Sequence, residues 1–565
     1  MRDLLCYTPP MKRVPLWLLG SAAVSALLLD LPFPLAGPLP VWRTFFAWFA
    51  LVPLLVAMIR LPASAPGARK RWLLGWSFLA GWLAGALWFG FNCYWVYGTM
   101  HVYGEMSELM AAVCLLLFSL FLGFWFGIFT LALALIRLTT REGKMHWLTL
   151  AAVPFLWTGM EFALARIPNF PWDQLGDSQV DNPLLMQTVP WAGVYGVSFL
   201  LAGVNALLAA AVVWPRVRAR GFSPGVYCGS LGALLMLVAA DGFLIRPPRP
   251  PVEATAVLIQ PNLDVVADEV WTEAQWKNEL EQFQKLGGET CKQYIKGLPE
   301  TGAQLGEVEC GPNPAPPALM VWPESPAPFR GLDPRFQAAM AAITQANKAP
   351  LIVGNVGMDE DEGRTRIFNS ASVVTPNGEF VGRYDKIHLV PFGEYVPARR
   401  LLFFARQLTQ NLEDTGRGEA RKTFRIGGHR YGIFICYESV FADEVRQFTR
   451  LGAEVLVNVS DDGWYGDTSA PWQHLNMARM RAIENRRWIL RDTNNGTTAA
   501  IDPYGRVRQS IPRHVADALP AEFGFSDELT FYTVHGDVFE ELCAAISLLV
   551  LAWPARKLLR SWASR

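Results

Sequence analysis

Charge is what this 565-residue sequence has least of: Asp, Glu, Lys and Arg make up 18% of it, against roughly a quarter in soluble proteins. The deficit is local. The first 245 residues hold long stretches with no charged side chain, whereas residues 252–535 have the composition of a soluble domain. The net charge of zero therefore averages two solvents and gives no support for a nucleic-acid partner. Also missing are a CxxC pair, an HExxH motif and a glycine-rich phosphate loop, so neither a metal nor a nucleotide cofactor is indicated. There is no internal repeat, and the length excludes a single ordinary domain of about 100–200 residues.

What is present is apolar length. A helix crosses the hydrocarbon core with about 20 mostly apolar residues, and eight runs qualify, near 14–30, 40–59, 72–97, 108–136, 146–165, 189–214, 224–245 and 537–554. Some could be buried helices of a soluble core, but Leu115-Leu116-Leu117-Phe118-Ser119-Leu120-Phe121-Leu122 has no polar face. Positive residues stay on the cytoplasmic side. Lys12 and Arg13, Arg69 to Arg71, Arg137, Arg141 and Lys144, Arg216, Arg218 and Arg220, and Arg556, Lys557 and Arg560 all fall on one side; the opposite loops contain only Arg166. With the N-terminus inside, seven spans carry residues 252–535 to the outer face and the eighth returns the tail. A cleaved first segment is the competing reading, but its removal puts the next basic loop on the wrong side. The expected units are a membrane domain over 1–246, a catalytic domain over 252–535 entered through Pro247, Pro248, Pro250 and Pro251, and a last span with basic tail over 536–565.

In the second unit, β-rich runs alternate with helical patterns, which predicts a layered α/β architecture. Strands are expected at 255–260, 318–322, 351–355, 368–374, 431–435, 454–459, 488–492 and 497–501, and helices at 268–286, 333–348, 439–451 and 471–486. Asp333-Pro334 supplies a cap and a first-turn proline. The stretch 287–317, rich in Gly, Pro and Glu, reads as a surface loop. Three strands end in reactive residues: Pro323-Glu324, Cys436-Tyr437-Glu438 and Ser460-Asp461-Asp462. Ligands of open α/β sheets sit at carboxyl strand ends, so these ends are expected to converge.

Singly, each candidate has a bland explanation: Cys436 a buried structural cysteine, Glu324 a turn carboxylate, Lys386 a salt-bridged loop lysine. Cys436 also precedes a helical run, whose N-terminus favours a thiolate. Jointly they supply a general base, a cation and a nucleophile, the set that acyl transfer through a thioester requires. The Tyr437 N–H and the lysine ammonium are positioned to hold a tetrahedral oxyanion. His388 and His474 invite a Cys-His reading, without a typical cysteine-protease context.

Trp322-Pro323-Glu324-Ser325, the run from Tyr384 to Pro397, and Cys436-Tyr437-Glu438 resemble the three signature blocks of the nitrilase superfamily. That resemblance implies an αββα sandwich and a Glu-Lys-Cys triad. With eight spans, Asp462-Gly463-Trp464-Tyr465-Gly466 and Trp472-Gln473-His474 added, nearly the whole chain is similar to the apolipoprotein N-acyltransferase family. What this implies is a multi-pass protein of the inner membrane with its catalytic domain on the periplasmic side. Glu324 is then the base, Lys386 the cation and Cys436 the acylated nucleophile, with Glu394, Tyr437, Glu438 and Trp464 as further site positions. The implied reaction is ping-pong: a phospholipid, typically phosphatidylethanolamine through its sn-1 chain, donates the acyl group, and the α-amino group of a diacylglyceryl-cysteine apolipoprotein accepts it. A membrane-tethered amidase or nitrilase with the same triad is the alternative.

Two further expectations concern the outer unit. Cys291 and Cys310 are each other's only plausible partner for a disulfide, two free thiols being the alternative. Tyr395, Leu401, Leu402, Phe403 and Phe404 suggest an apolar arm over 395–412 that dips toward lipid and gates the site; a buried helix is the competing reading.

Overall fold

A computed structural model describes residues 16–61, 67–139, 145–213, 248–265, 272–290, 293–300, 302–305, 311–312, 315–324, 329–361, 364–395 and 415–563, with isolated positions 229, 232 and 236. The expected span at 224–245, the pair Cys291 and Cys310, and the arm beyond Tyr395 lie outside the described residues.

The N-terminal region is helical: α1 (Leu16–Asp30), α2 (Val52–Arg60), α3 (Gly67–Asn92), α4 (Trp95–Gly98), α5 (Glu108–Thr139), α6 (Met145–Arg166) and α7 (Val189–Val212). Among the described residues, five segments are long and apolar enough to cross a membrane: Val41–Arg60, Lys70–Asn92, Glu108–Arg137, Leu148–Arg166 and Val189–Val212. Small residues let α3 and α5 touch: a Cβ on Gly123 would stand 2.4 Å from the Ala86 nitrogen. Close backbone approach of this kind is how helices associate where lipid offers no hydrophobic drive. Helix α7 kinks at Gly193 (φ +59°), where the Val194 N–H is released to the Glu484 carboxylate, 3.1 Å away.

The strands follow as β1 (Ala254–Gln260), β2 (Glu289–Thr290), β3 (Ile295–Lys296), β4 (Gly311–Pro312), β5 (Leu319–Trp322), β6 (Leu351–Asp361), β7 (Arg364–Val374), β8 (Phe380–Asp385), β9 (Thr423–Ile426), β10 (His429–Ile435), β11 (Val455–Ser460), β12 (Ile489–Thr493), β13 (Thr498–Ile501), β14 (Val507–Ile511) and β15 (Asp517–Phe523). One sheet runs β15-β1-β5-β6-β7-β8, a second runs β3-β14-β13-β12-β11-β10-β9, and β2 pairs with β4 alone. Helices α8 (Glu273–Gly288) and α9 (Pro334–Asn347) cover the first; α10 (Ala442–Arg450) and α11 (Ala470–Asn485) belong to the second. Asp333 caps α9 by accepting the Arg335 N–H at 2.9 Å. Period-two alternation builds the layers: Leu319 and Val321 of β5 join the core between the sheets, while Met320 and Trp322 pack with Phe283, Phe336 and Met340 of the covering helices. The short α12 (Phe531–His535) leads into α13 (Val538–Ala563), which returns along α6.

The 287–317 stretch differs from a plain surface loop. Strand β3 extends the second sheet through Gln509 and Ser510 of β14, and Tyr294, Leu298 and Leu305 pack against the inter-sheet core. Its apolar residues are few and scattered among Gly and Pro, so no period announces them.

The helical and sheet regions share an apolar cluster. Tyr437, Phe441, Tyr465, Met477, Met480 and Ile483 of the sheet region pack with the helical core. Arg166, at the end of α6, pairs with Asp443 (3.3 Å) and with Asp537.

Candidate active site

The parallel strands β5 and β11 belong to different sheets, yet their carboxyl ends meet: the Asp461 N–H donates to Glu324 Oε2 at 2.9 Å. Beside them Lys386, one residue past β8 and 1% exposed, donates from Nζ to Glu324 Oε1 at 3.0 Å and to Glu394 Oε1 at 3.1 Å. Asn369 Nδ2 donates to the same two oxygens at 2.7 and 2.8 Å. The Val390 N–H donates to Glu394 Oε2 at 2.7 Å. Burying the Glu324 carboxylate and the Lys386 ammonium is costly unless their hydrogen bonds are made, and Asn369, Asp461 and the half-buried Glu394 supply them. Burial opposes the Lys386 charge, but Glu324 and Glu394 hold its pKa well above the usual lysine value.

Cys436 follows β10 in the left-handed region, φ +48°. For a non-glycine residue that conformation costs on the order of 1–3 kcal/mol and recurs at functional sites. It starts a 3₁₀ turn, Cys436–Val440, and the α-helix begins only at Ala442. The sequence pattern suggested a helix N-terminus that favours the thiolate. Here burial dominates: it pushes the Cys436 thiol well above its usual range, the Glu324 charge adds to this, and Lys386 opposes it. Cys436 is thus held as a thiol, 5% exposed, in the electrostatic field of a carboxylate and an ammonium. Such a thiol needs a base at the moment of attack.

Glu438 stands apart from the lysine. Its Oε1 accepts from the Ile387 N–H (2.6 Å), the His388 N–H (3.1 Å) and the Tyr384 hydroxyl (2.8 Å), and its Oε2 accepts from the Ile435 N–H (2.7 Å). It fastens the lysine segment to the end of β10, which leads into Cys436. Burial raises its pKa to about 7. Tyr437 donates its hydroxyl to the Asn169 carbonyl of the helical region at 2.9 Å. Trp464, 39% exposed, lies on the Asp462–Tyr465 turn; its ring meets Tyr103 at 5.6 Å and its carbonyl accepts from Thr99 Oγ1 at 3.0 Å. The lysine cluster therefore gathers Glu324, Lys386 and Glu394 around Cys436, with Glu438 as a brace and Tyr437 and Trp464 turned toward the helical region.

The two histidines serve the frame. His388 Nδ1 lies 3.2 Å from Glu444, and its ring stacks on Phe441. His474 meets the Cys436 carbonyl through Nε2 (3.0 Å) and Asp462 Oδ1 through Nδ1 (2.9 Å). Two residues of the site were not picked out from the sequence. Asn369 bridges both carboxylates, and its only signal is an amide in an apolar strand. Trp172 stacks on Tyr437 (6.5 Å) and on His474 (6.0 Å) from the segment between α6 and α7; its signal is the aromatic run Phe170-Pro171-Trp172 in that loop.

Residues 25–207 match the family model described as apolipoprotein N-acyltransferase N-terminal domain, and residues 296–517 match the carbon-nitrogen hydrolase model. The fold of the sheet region is thus nitrilase-like. An amidase of known structure from Nesterenkonia sp. covers 52% of this chain and 96% of its own at 14% identity, with a TM-score of 0.34. The apolipoprotein N-acyltransferase of Pseudomonas paraeruginosa is 32% identical over 84% of this chain and 86% of its own. That of Geobacter metallireducens is 32% identical over 540 residues, 95% of each chain. The two family models, and 32% identity over 95% of the chain with the relative from Geobacter metallireducens, make this chain a member of the apolipoprotein N-acyltransferase family.

Proposed function

We propose that this protein moves a fatty acyl chain from a phospholipid, through a thioester on Cys436, to the α-amino group of a diacylglyceryl-cysteine apolipoprotein. The observation that carries the reading is the buried cluster of Lys386 between Glu324 and Glu394 beside a high-pKa thiol, on a unit whose apolar core continues into membrane-type helices. Glu324 takes the thiol proton as Sγ attacks the sn-1 ester carbonyl of the donor, phosphatidylethanolamine in this reading. The oxyanion is held by the Tyr437 N–H and the Lys386 ammonium. The ester C–O bond then breaks, and Glu324 returns the proton to the departing lysophospholipid oxygen. In the second half the acceptor amine attacks the thioester, Glu324 takes its proton, and the thiol is restored as the amide forms. The reaction is ping-pong, since the first product leaves before the acceptor reacts.

Glu394 supports this scheme by sharing Lys386 and Asn369 with Glu324. In the same reading, 1–246 and 536–565 form eight spans and 252–535 is the catalytic domain. The basic loops argue for its exposure on the periplasmic side of the inner membrane. Both substrates then keep their chains in lipid while their reactive ends reach Cys436. The deciding experiment offers the purified protein phospholipid with either a diacylglyceryl-cysteine peptide or a soluble amide. The lipopeptide is expected to become N-acylated. Hydrolysis of the amide without lipopeptide acylation would overturn the reading in favour of an amidase.

A further inference from the structure

The Cys436–Tyr437 peptide carries two groups with different tasks: the Cys436 carbonyl and, across the same planar trans unit, the Tyr437 N–H. Because the unit is rigid, fixing the direction of one group fixes the other, which points the opposite way. Among the described residues, His474 approaches that carbonyl, with Nε2 at 3.0 Å. The imidazole is itself held. Nδ1 faces Asp462 Oδ1 at 2.9 Å and Arg491 Nη2 at 3.1 Å, and Arg491 Nη2 binds Asp462 Oδ2 at 2.7 Å. Arg491 Nη1 continues to Asn458, whose amide reaches the Phe434 carbonyl in the nucleophile strand at 3.3 Å. Asp462, His474 and Arg491 are all fully buried. Burial opposes the Asp462 charge, but Arg491 and His474 hold its carboxyl well below the usual range, so the anchor stays ionised.

The helical region covers this chain of contacts. Trp172 lies parallel to the His474 ring, 6.0 Å away with 17° between planes, and its indole N–H donates to Gln473 Oε1 at 2.9 Å. Gln473 in turn donates to the Asn92 carbonyl and side-chain oxygen, each at 3.0 Å, at the end of α3. The imidazole is therefore fixed from the sheet side by an ion pair and from the helix side by an aromatic face.

We propose that His474 is a positioning residue: by holding the Cys436 carbonyl it aims the Tyr437 N–H at the oxyanion, and Trp172 makes that aim depend on the seating of the catalytic unit on the helices. The inference rests on the acyltransfer reading, because it concerns the oxyanion donor of that reaction. His474 does not touch the reacting atoms; it acts through the backbone that does.

The test compares His474→Asn with His474→Gln in the full-length protein in phospholipid-containing micelles. Asparagine keeps a polar atom toward Asp462 but withdraws the one that faces Cys436; glutamine keeps the reach to Cys436. Two rates are read on each: acylation of Cys436 by phospholipid, and its alkylation by iodoacetamide, which passes through no oxyanion. Losing an oxyanion donor slows reactions by about 10²–10³-fold. The Asn variant is expected to lose about that much in acylation, with KM for phospholipid and the alkylation rate within about threefold of native, and the Gln variant to recover to within about tenfold. Equal acylation rates in the two variants, a native rate in the Asn variant, or alkylation falling in parallel with acylation would each overturn the proposal. If the native protein forms no thioester while its Cys436 alkylates normally, the acyltransfer reading fails, and this inference with it.

Discussion

Cys436 sits between two environments built on different principles. On one side, strand ends of the sandwich supply charge: Glu324, Lys386, Glu394 and the amide of Asn369, linked by hydrogen bonds of 2.7–3.1 Å. On the other, the helical region supplies rings: Trp172 against Tyr437 and His474, and Trp95 against Trp172 and Tyr465 at 4.9 and 5.1 Å. In the proposed reaction the charged side does the proton and oxyanion chemistry, which needs rigid placement within fractions of an ångström. The aromatic side contributes apolar area with a defined shape, suited in the proposed reaction to an acyl chain. Damage to the two sides should therefore separate in kind, chemistry from seating.

The largest effect is expected from Glu324→Gln, which removes the proposed base while keeping its volume. Acyl transfer should fall about 10²–10⁴-fold, measured in a single turnover. The thiol should respond in the opposite sense. The Glu324 charge pushes the Cys436 thiol up, so its loss should move the pH profile of iodoacetamide alkylation to lower pH. A profile that stays in place would mean that Glu324 does not act on the thiol. Next comes Lys386→Met, which leaves the buried Glu324 and the half-buried Glu394 without their cation. A loss of about 10²–10³-fold in transfer should accompany a stability loss of about 3–5 kcal/mol, read by thermal unfolding.

On the helical side the expected losses are structural. Gly123→Leu places a side chain where a Cβ already meets the Ala86 backbone, and overpacking of this kind costs about 1–3 kcal/mol. Chemical denaturation should show that loss while alkylation of Cys436 remains native in the folded protein. The smallest effect is assigned to Tyr437→Phe, which deletes one hydrogen bond to the Asn169 carbonyl between the two regions. About 1 kcal/mol of stability should be lost, with acylation changed less than tenfold. A larger kinetic loss would give the hydroxyl a chemical task and blur the contrast.

The two sides were also unequally legible. Strands β5, β10 and β11 are apolar runs that stop at Pro323, Cys436 and Ser460, so both the strands and their reactive ends stand out. Strands β8, β9 and β14 alternate with polar or charged residues, and β15 contains Pro520, which argues against a strand but is tolerated at a sheet edge, where β15 lies. The triad candidates were legible because the motif blocks are local. Asn369 lies 45 positions from Glu324, and Trp172 lies 302 positions from His474; no local period encodes either approach. The thiol shows the limit from the other direction: position suggested activation by a helix N-terminus, and burial, which a sequence does not state, outweighs it.

The central claim is that Cys436 carries the acyl group. Incubating the purified protein with phospholipid alone leaves no amine to accept the chain, so intact-mass spectrometry should find one added acyl group. Peptide mapping should place it on Cys436, hydroxylamine should release it as expected of a thioester, and Cys436→Ala should show no adduct. A protein that transfers acyl chains to lipopeptide yet never gains a hydroxylamine-labile group on Cys436 would contradict the account.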